Sequence, residues 1–313
     1  IKPIMNFIEM EKEILFQVKF LKRVFFILFV IQKENMFLNN FFIILFISSF
    51  NHACYTELKN TIFFVTYCQN HLNKKMLLSV NDTGNVHTSN LNKRLYIFDE
   101  KIEEIDRNAF ETSKNLTELE IRNNPLKIIP IRLFSALDQL KLLNLEYNLI
   151  EIIQNETFSG LIKLKTISLR HNSIYFIEAN SFNDLFQIET IILRYNYLKN
   201  LDQNLFLNNK EIKSLLIDFN MINYLQNKTL FYLGQMNRLY FSNNNLIEIN
   251  KFIFNNLQNL FELKLDFNQI VNLDNECFIE LVNLKILNLE RNNLEIIKYG
   301  TLKGLKNLNE LFL

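Results

Sequence analysis

Tryptophan is absent from this 313-residue chain, and glycine (5), proline (3), cysteine (3) and histidine (4) are scarce. Several chemistries go with them. There is no glycine-rich phosphate loop, no GxSxG nucleophile turn, no HExxH and no CxxC. A zinc site therefore lacks its usual ligand spacing, and no other metal-ligand cluster replaces it. Carboxylates such as Glu103 and Glu104 sit in a connecting segment and read as a solvated face. The expectation is a protein that is not an enzyme and uses no cofactor and no metal. A surplus of charge is missing too. Lys+Arg number 34 and Asp+Glu 33, a net +1, which exerts no general pull on nucleic acid or anionic membranes. The apolar run Phe41–Ile47 is too short and interrupted for a membrane span. Membrane attachment would then come only through a C-terminal segment outside these residues.

What is present is a period. Asn124, Asn148, Asn172, Asn196, Asn220, Asn244, Asn268 and Asn292 stand 24 residues apart. Each lies in the frame L-x-x-L-x-L-x-x-N-x-L; Asn148, for instance, follows Leu140, Leu143 and Leu145 and precedes Ile150. A fixed period with this frame signals a leucine-rich-repeat solenoid, an α/β repeat fold. The expected form is a horseshoe with a parallel concave β-sheet, an irregular or short helical convex side and a small N-terminal cap. Counted from each asparagine, residues −5 and −3 are apolar and alternate with polar ones, which is strand periodicity. Apolar residues recur at −8, +2, +5 and +13, with phenylalanine at +10 (Phe134, Phe158, Phe182, Phe206, Phe254, Phe278). Asn209 interrupts the +13 leucines. The ladder asparagines read as structural: each amide carries two donors and an acceptor, and buried backbone at a bend needs partners.

The array starts at an atypical turn, where Leu95, Ile97, Ile102, Ile105 and Phe110 match the frame with Glu100 in the ladder slot. It ends on Leu308, Leu311 and Leu313, the opening of another strand, so the chain reads as truncated there. The organisation is a leader at 1–35 that reads as untranslated or spurious, a signal peptide at 36–53, a cap at 54–90 and the array at 91–313. Met36 would be the true start, with Phe41–Ile47 as the apolar core of the signal and Ala53 as the small residue at its cut. The alternative is a signal-anchor beginning at Met5 or Met10. Cys54 and Cys68 flank a strand-like run, and a disulfide between them would add about 3 kcal/mol to the cap. Cys277 is left over and reads as a buried thiol. Sequons occur at Asn81, Asn115, Asn155 and Asn227.

The frame LxxLxLxxNxLxxIxxxxFxxLxxL resembles the 24-residue extracellular class of leucine-rich repeats, which includes Toll-type receptor ectodomains and secreted insect immune factors. The resemblance covers residues 95–313. It implies binding of proteins, peptides or glycans without catalysis, and an innate-immune setting. The cap departs from the usual cysteine-rich module in having only Cys54 and Cys68.

Side chains at −6, −4, −2 and −1 should point out of the strands onto the concave face, the face solenoids generally bind with. The −1 column offers Tyr147, His171, Tyr195, Phe219 and Phe267; the −2 column offers Arg122, Arg170, Arg194, Asp218 and Asp266; Ile192 and Leu216 add apolar surface at −4. Exposed rings beside aliphatic groups mark interaction sites. The bland reading is that a chain with 30 phenylalanines exposes some rings by chance. The expected function is an extracellular module binding a protein or peptide ligand, with a glycan as a further option and nucleic acid excluded. A receptor ectodomain for adhesion or development, or a structural matrix component, is the alternative. Oligomeric state is not legible.

Overall fold

The computed structural model describes the strands Leu45–Ser49, His52–Lys59, Phe63–Asn70 and Met76–Asp82 and the continuous segment 93–313. All of these residues belong to one compact unit, Ile43–Leu313. The expected leader, 1–35, and the first part of the expected signal segment, 36–44, lie outside the described residues.

Ten strands, from Lys93–Phe98 to Glu310–Phe312, form one parallel sheet, one strand per turn. The register repeats the sequence period: Ile167 lies opposite Leu143 on one side and Ile191 on the other. A short strand such as Thr190–Ile192 buries only its middle residue. It has one apolar face, so it is stable only when turns above and below complete the core. The last strand pairs with Ile286–Asn288 on one side, and its residues are exposed.

Among the described residues no helix forms. Of the two forms expected for the convex side, the irregular one is found: successive turns closed by bonds such as Thr157 N–H to Gln154 O and Ser159 N–H to Glu156 O. Left-handed residues at +8, among them Glu156 (φ 61°), Asn180 (φ 67°) and Glu276 (φ 60°), interrupt any run of right-handed dihedrals. Two short parallel pairs, Ile152–Ile153 with Phe176–Ile177 and Glu248–Ile249 with Asn272–Leu273, line this side.

Inside the coil the apolar columns stack turn on turn. Phe110, Phe134, Phe158, Phe182 and Phe206 form a continuous buried spine with ring centroids 5.7–6.3 Å apart. Leu230 replaces one ring, and Phe254 and Phe278 resume the stack at 5.8 Å. The asparagine ladder binds neighbouring turns together. Asn196 accepts the Ile174 N–H at Oδ1 (2.9 Å) and donates to the carbonyls of Leu169 (2.9 Å) and Leu193 (3.1 Å). Asn148 is an exception, its Oδ1 being buried with no partner. Asn209, where the leucine column is interrupted, is fully buried and donates to the carbonyls of Phe182 (2.8 Å) and Leu185 (3.0 Å). It exchanges an apolar contact for two hydrogen bonds. Cys277 is buried and unpaired, and burial, with help from the Asp274 charge, pushes its thiol up to about 12.

Ahead of the array, Leu45–Ser49, His52–Lys59, Phe63–Asn70 and Met76–Asp82 run antiparallel, and the last of them pairs with Ile102–Ile105 of the first turn. Cys54 lies directly opposite Cys68. Opposed Cα atoms in such a pair are roughly 4.5–5.5 Å apart, within the disulfide range of about 4.4–6.8 Å.

Candidate functional site

The site grows from three columns at and just beyond the strands. At −4, register places Ile192 beside Leu216, and Leu216 beside Tyr240, as a half-buried apolar strip. The sequence columns point to Ile192 and Leu216 at −4 but not to Tyr240 in the same column. Its hydroxyl donates to Glu262 Oε2 (2.6 Å), and its ring lies under Lys264 (4.7 Å) and Arg194 (5.4 Å). Burial, reinforced by Glu262, pushes the phenol up to about 12, so it stays a neutral donor.

At −2, neighbouring turns are wired together. Arg194 pairs with Asp218, Asp218 Oδ1 accepts the Ser242 N–H (3.2 Å), and Ser242 Oγ donates to Asp266 Oδ1 (2.6 Å). Asp218 was expected to be displayed on the concave face. Its side chain is instead only 5% exposed, because a carboxylate flanked by donors from both adjacent turns is drawn into the wall. It braces the sheet. Arg122 lies over the Phe98 ring (4.4 Å) with Glu120 at 2.9 Å, and Arg170 lies over Tyr195 (5.3 Å).

The −1 column departs most from expectation. The sequence frame predicts these side chains on the strands, pointing into the concavity, yet strands such as Thr166–Ser168 end at −4. All eight −1 residues, Asn123 through Arg291, have φ between 52° and 57°. A left-handed residue turns its side chain out of the strand's alternation. The rings therefore lie along the edge of the sheet and meet their counterparts 24 residues away. Tyr147, His171, Tyr195 and Phe219 stack face to face at 4.5, 4.2 and 4.2 Å, with interplanar angles of 19°, 13° and 8°. Tyr147 is 45% exposed and Phe219 41%; His171 and Tyr195 are half-buried. The left-handed backbone costs about 1–2 kcal/mol at each bulky residue, and each ring pair returns about 0.5–1.5 kcal/mol. Partial burial lowers the His171 pKa, Arg170 lowers it further, and Glu146 opposes them. The imidazole is thus neutral above its ordinary pKa and stacks as an uncharged ring. Phe267 stands apart, 51% exposed, with Asn243 between it and Phe219.

Past the ladder the apolar surface continues over the flank: Tyr175, Phe176, Tyr197, Met221, Tyr224, Ile247 and Val271 are 40–51% exposed. These positions, +1, +3 and +4, form columns in the sequence, but nothing in the sequence alone marks them as exposed surface. Asn115, Asn155 and Asn227 are exposed, and Asn81 lies on the strand Met76–Asp82. Among the described residues no helix is long and apolar enough to cross a membrane, and no group of three metal-binding side chains occurs.

A family model described as Leucine rich repeat matches residues 90–150, 138–198, 234–294 and 258–313. A search of curated proteins gave no match. Among solved structures, the chain is similar to the glycosylated form of the Toll–Spatzle complex, described as a molecular hub in Drosophila development and innate immunity. There the identity is 23% and the TM-score 0.67, over 71% of this chain and 31% of that one. Similar too are a TLR13–ssRNA13 complex (25%, 0.61, 66% and 31%) and a second Toll–Spatzle structure (24%, 0.60, 65% and 27%). The chain thus spans less than a third of the length of each.

Proposed function

Since this chain belongs to the leucine-rich-repeat family, a fold that is typically non-catalytic, we propose that it is an extracellular recognition module. It binds a protein or peptide ligand along the ring-bearing edge of its concave face and performs no catalysis. The observation that carries the reading is the four-ring stack from Tyr147 to Phe219. Rings held rigidly by each other lose little side-chain entropy on binding, which is why aromatic anchors dominate interface energetics. Ile192, Leu216 and Tyr240 extend the apolar strip, and Arg170 supplies a charged donor beside it.

The similar Toll structures hold a protein, Spatzle, and the TLR13 structure holds RNA. Two features favour a protein here. Arg194 and Arg122 are next to Asp218 and Glu120, which leaves less cationic capacity for phosphates, and the net charge is +1. The same likeness supports an innate-immune or developmental setting as part of this reading.

The test is direct. Asparagine suits a left-handed backbone, so Tyr195→Asn/Phe219→Asn removes rings while keeping the turn. Screened against an array of secreted proteins, the chain should show a saturable protein ligand whose affinity falls at least about tenfold in the double variant. Unchanged affinity would place the site elsewhere.

The extracellular part has its own check. Expression from Met36 in secretory cells should yield a product in the medium cut near Ala53. Glycans should sit at Asn81, Asn115, Asn155 and Asn227, and a Cys54–Cys68 bridge should be found by mass spectrometry. An intracellular, unglycosylated product with free thiols overturns it.

A further inference from the structure

The ring stack is interrupted once. Four successive −1 positions carry Tyr147, His171, Tyr195 and Phe219 at 4.2–4.5 Å; the fifth is Asn243 and the sixth Phe267. All six share the same left-handed backbone, so each presents its side chain in the same frame. Adjacent strands lie roughly 4.8 Å apart. Phe219 and Phe267 thus stand two rungs apart, roughly 9–10 Å, with one rung between them lacking a ring. A planar group there would meet both at the distance the other rungs already use. Tyr195 covers one face of Phe219, and the other is turned toward the gap. Asn243 is half-buried, and its side chain makes no hydrogen bond among the described residues. Its amide therefore has an acceptor that no other group among the described residues uses. Asn123, the other asparagine of this column, has a ring on one side only and forms no such slot.

We propose that the gap at Asn243 is a binding slot for one aromatic side chain of a protein ligand, an indole or a phenol. The ligand's ring completes the stack between Phe219 and Phe267, and its N–H or O–H donates to Asn243 Oδ1. A phenyl ring fills the space but leaves that acceptor unmet, so the slot ranks tryptophan and tyrosine above phenylalanine. The proposal rests on the reading of this edge as the recognition surface and names its specificity position.

The probe is 5-fluoro-N-acetyltryptophanamide, followed by fluorine line broadening against the full chain. Saturable broadening is expected. Asn243→Phe supplies the missing ring from a backbone that already accommodates phenylalanine at 219 and 267; binding should weaken at least tenfold. Asn243→Gly opens the slot without straining the turn but removes the acceptor; it should still bind the probe, more weakly than the parent chain, and should no longer rank an indole above a phenyl ring. Phe267→Asn removes one wall and should weaken it at least threefold, which keeps the test decisive if Asn243→Phe misfolds. No saturable broadening, or equal broadening with Asn243→Phe, overturns the slot. If the slot fails while Tyr195→Asn/Phe219→Asn still loses its protein ligand, only the slot is wrong and the recognition edge stands.

Discussion

Asn196→Ala is expected to cost the array about 3–5 kcal/mol, because three buried backbone groups lose their partner at about 1–3 kcal/mol each, with some relaxation. Those groups are the Ile174 N–H and the carbonyls of Leu169 and Leu193. They belong to two adjacent turns, Leu169 and Ile174 to the turn of Asn172 and Leu193 to that of Asn196, so the loss uncouples neighbours as well as weakening one turn. In a solenoid, stability is a sum of turn and interface terms. The urea transition should therefore move to lower concentration and broaden. Asn196→Asp is the sharper variant: it keeps the volume and an acceptor but removes both donors and buries a charge. It should destabilise at least as much as alanine. Asn292→Ala tests the same bonds near the end of the array, where the amide is only half-buried and water can replace it. Its cost should be less than half. Losses below about 1 kcal/mol at Asn196, or equal losses at both positions, would mean that the ladder does not hold the turns together.

Phe182→Ala should be comparably severe, about 4–5 kcal/mol. The ring is fully buried, with Phe158 at 5.7 Å and Phe206 at 6.0 Å. Its removal leaves a cavity between two turns and ends two ring contacts worth about 0.5–1.5 kcal/mol each. Phe182→Leu separates volume from stacking. Leucine already fills this column at Leu230, where it is buried, so the cost there should be only about 1–2 kcal/mol. Urea unfolding of both variants beside the parent chain decides. If leucine costs as much as alanine, the spine depends on ring shape at this turn and not on filled volume.

The fold was legible because its code is local and repeated. Every −5 and −3 residue faces inward for the same reason in every turn, so one frame read once describes the array. The ladder asparagines were legible for a related reason, since few side chains satisfy a buried bend. The candidate site was legible only in part. The column from Tyr147 to Phe219 stands out as a row of rings, but its location depends on the sign of φ. Tyrosine and phenylalanine rarely adopt φ near +55°, so their sequence argues for an extended backbone and for rings pointing into the concavity. Asp218 reads as a displayed charge because its partners, Arg194 and Ser242, are each 24 residues away. Tyr240 and the apolar flank were missed because their meaning comes from what lies beside them.

The sequence by itself determined the period, the inward-facing columns and the amide ladder, because each depends on which side of one short strand a residue occupies. The tertiary structure alone decided which outward residues are available. It turned the −1 rings sideways into a stack, drew Asp218 into the wall, lowered the His171 pKa and left the one gap at Asn243. These are properties of contacts between turns. They arise only when the register of stacked strands brings residues 24 apart to within about 5 Å of each other.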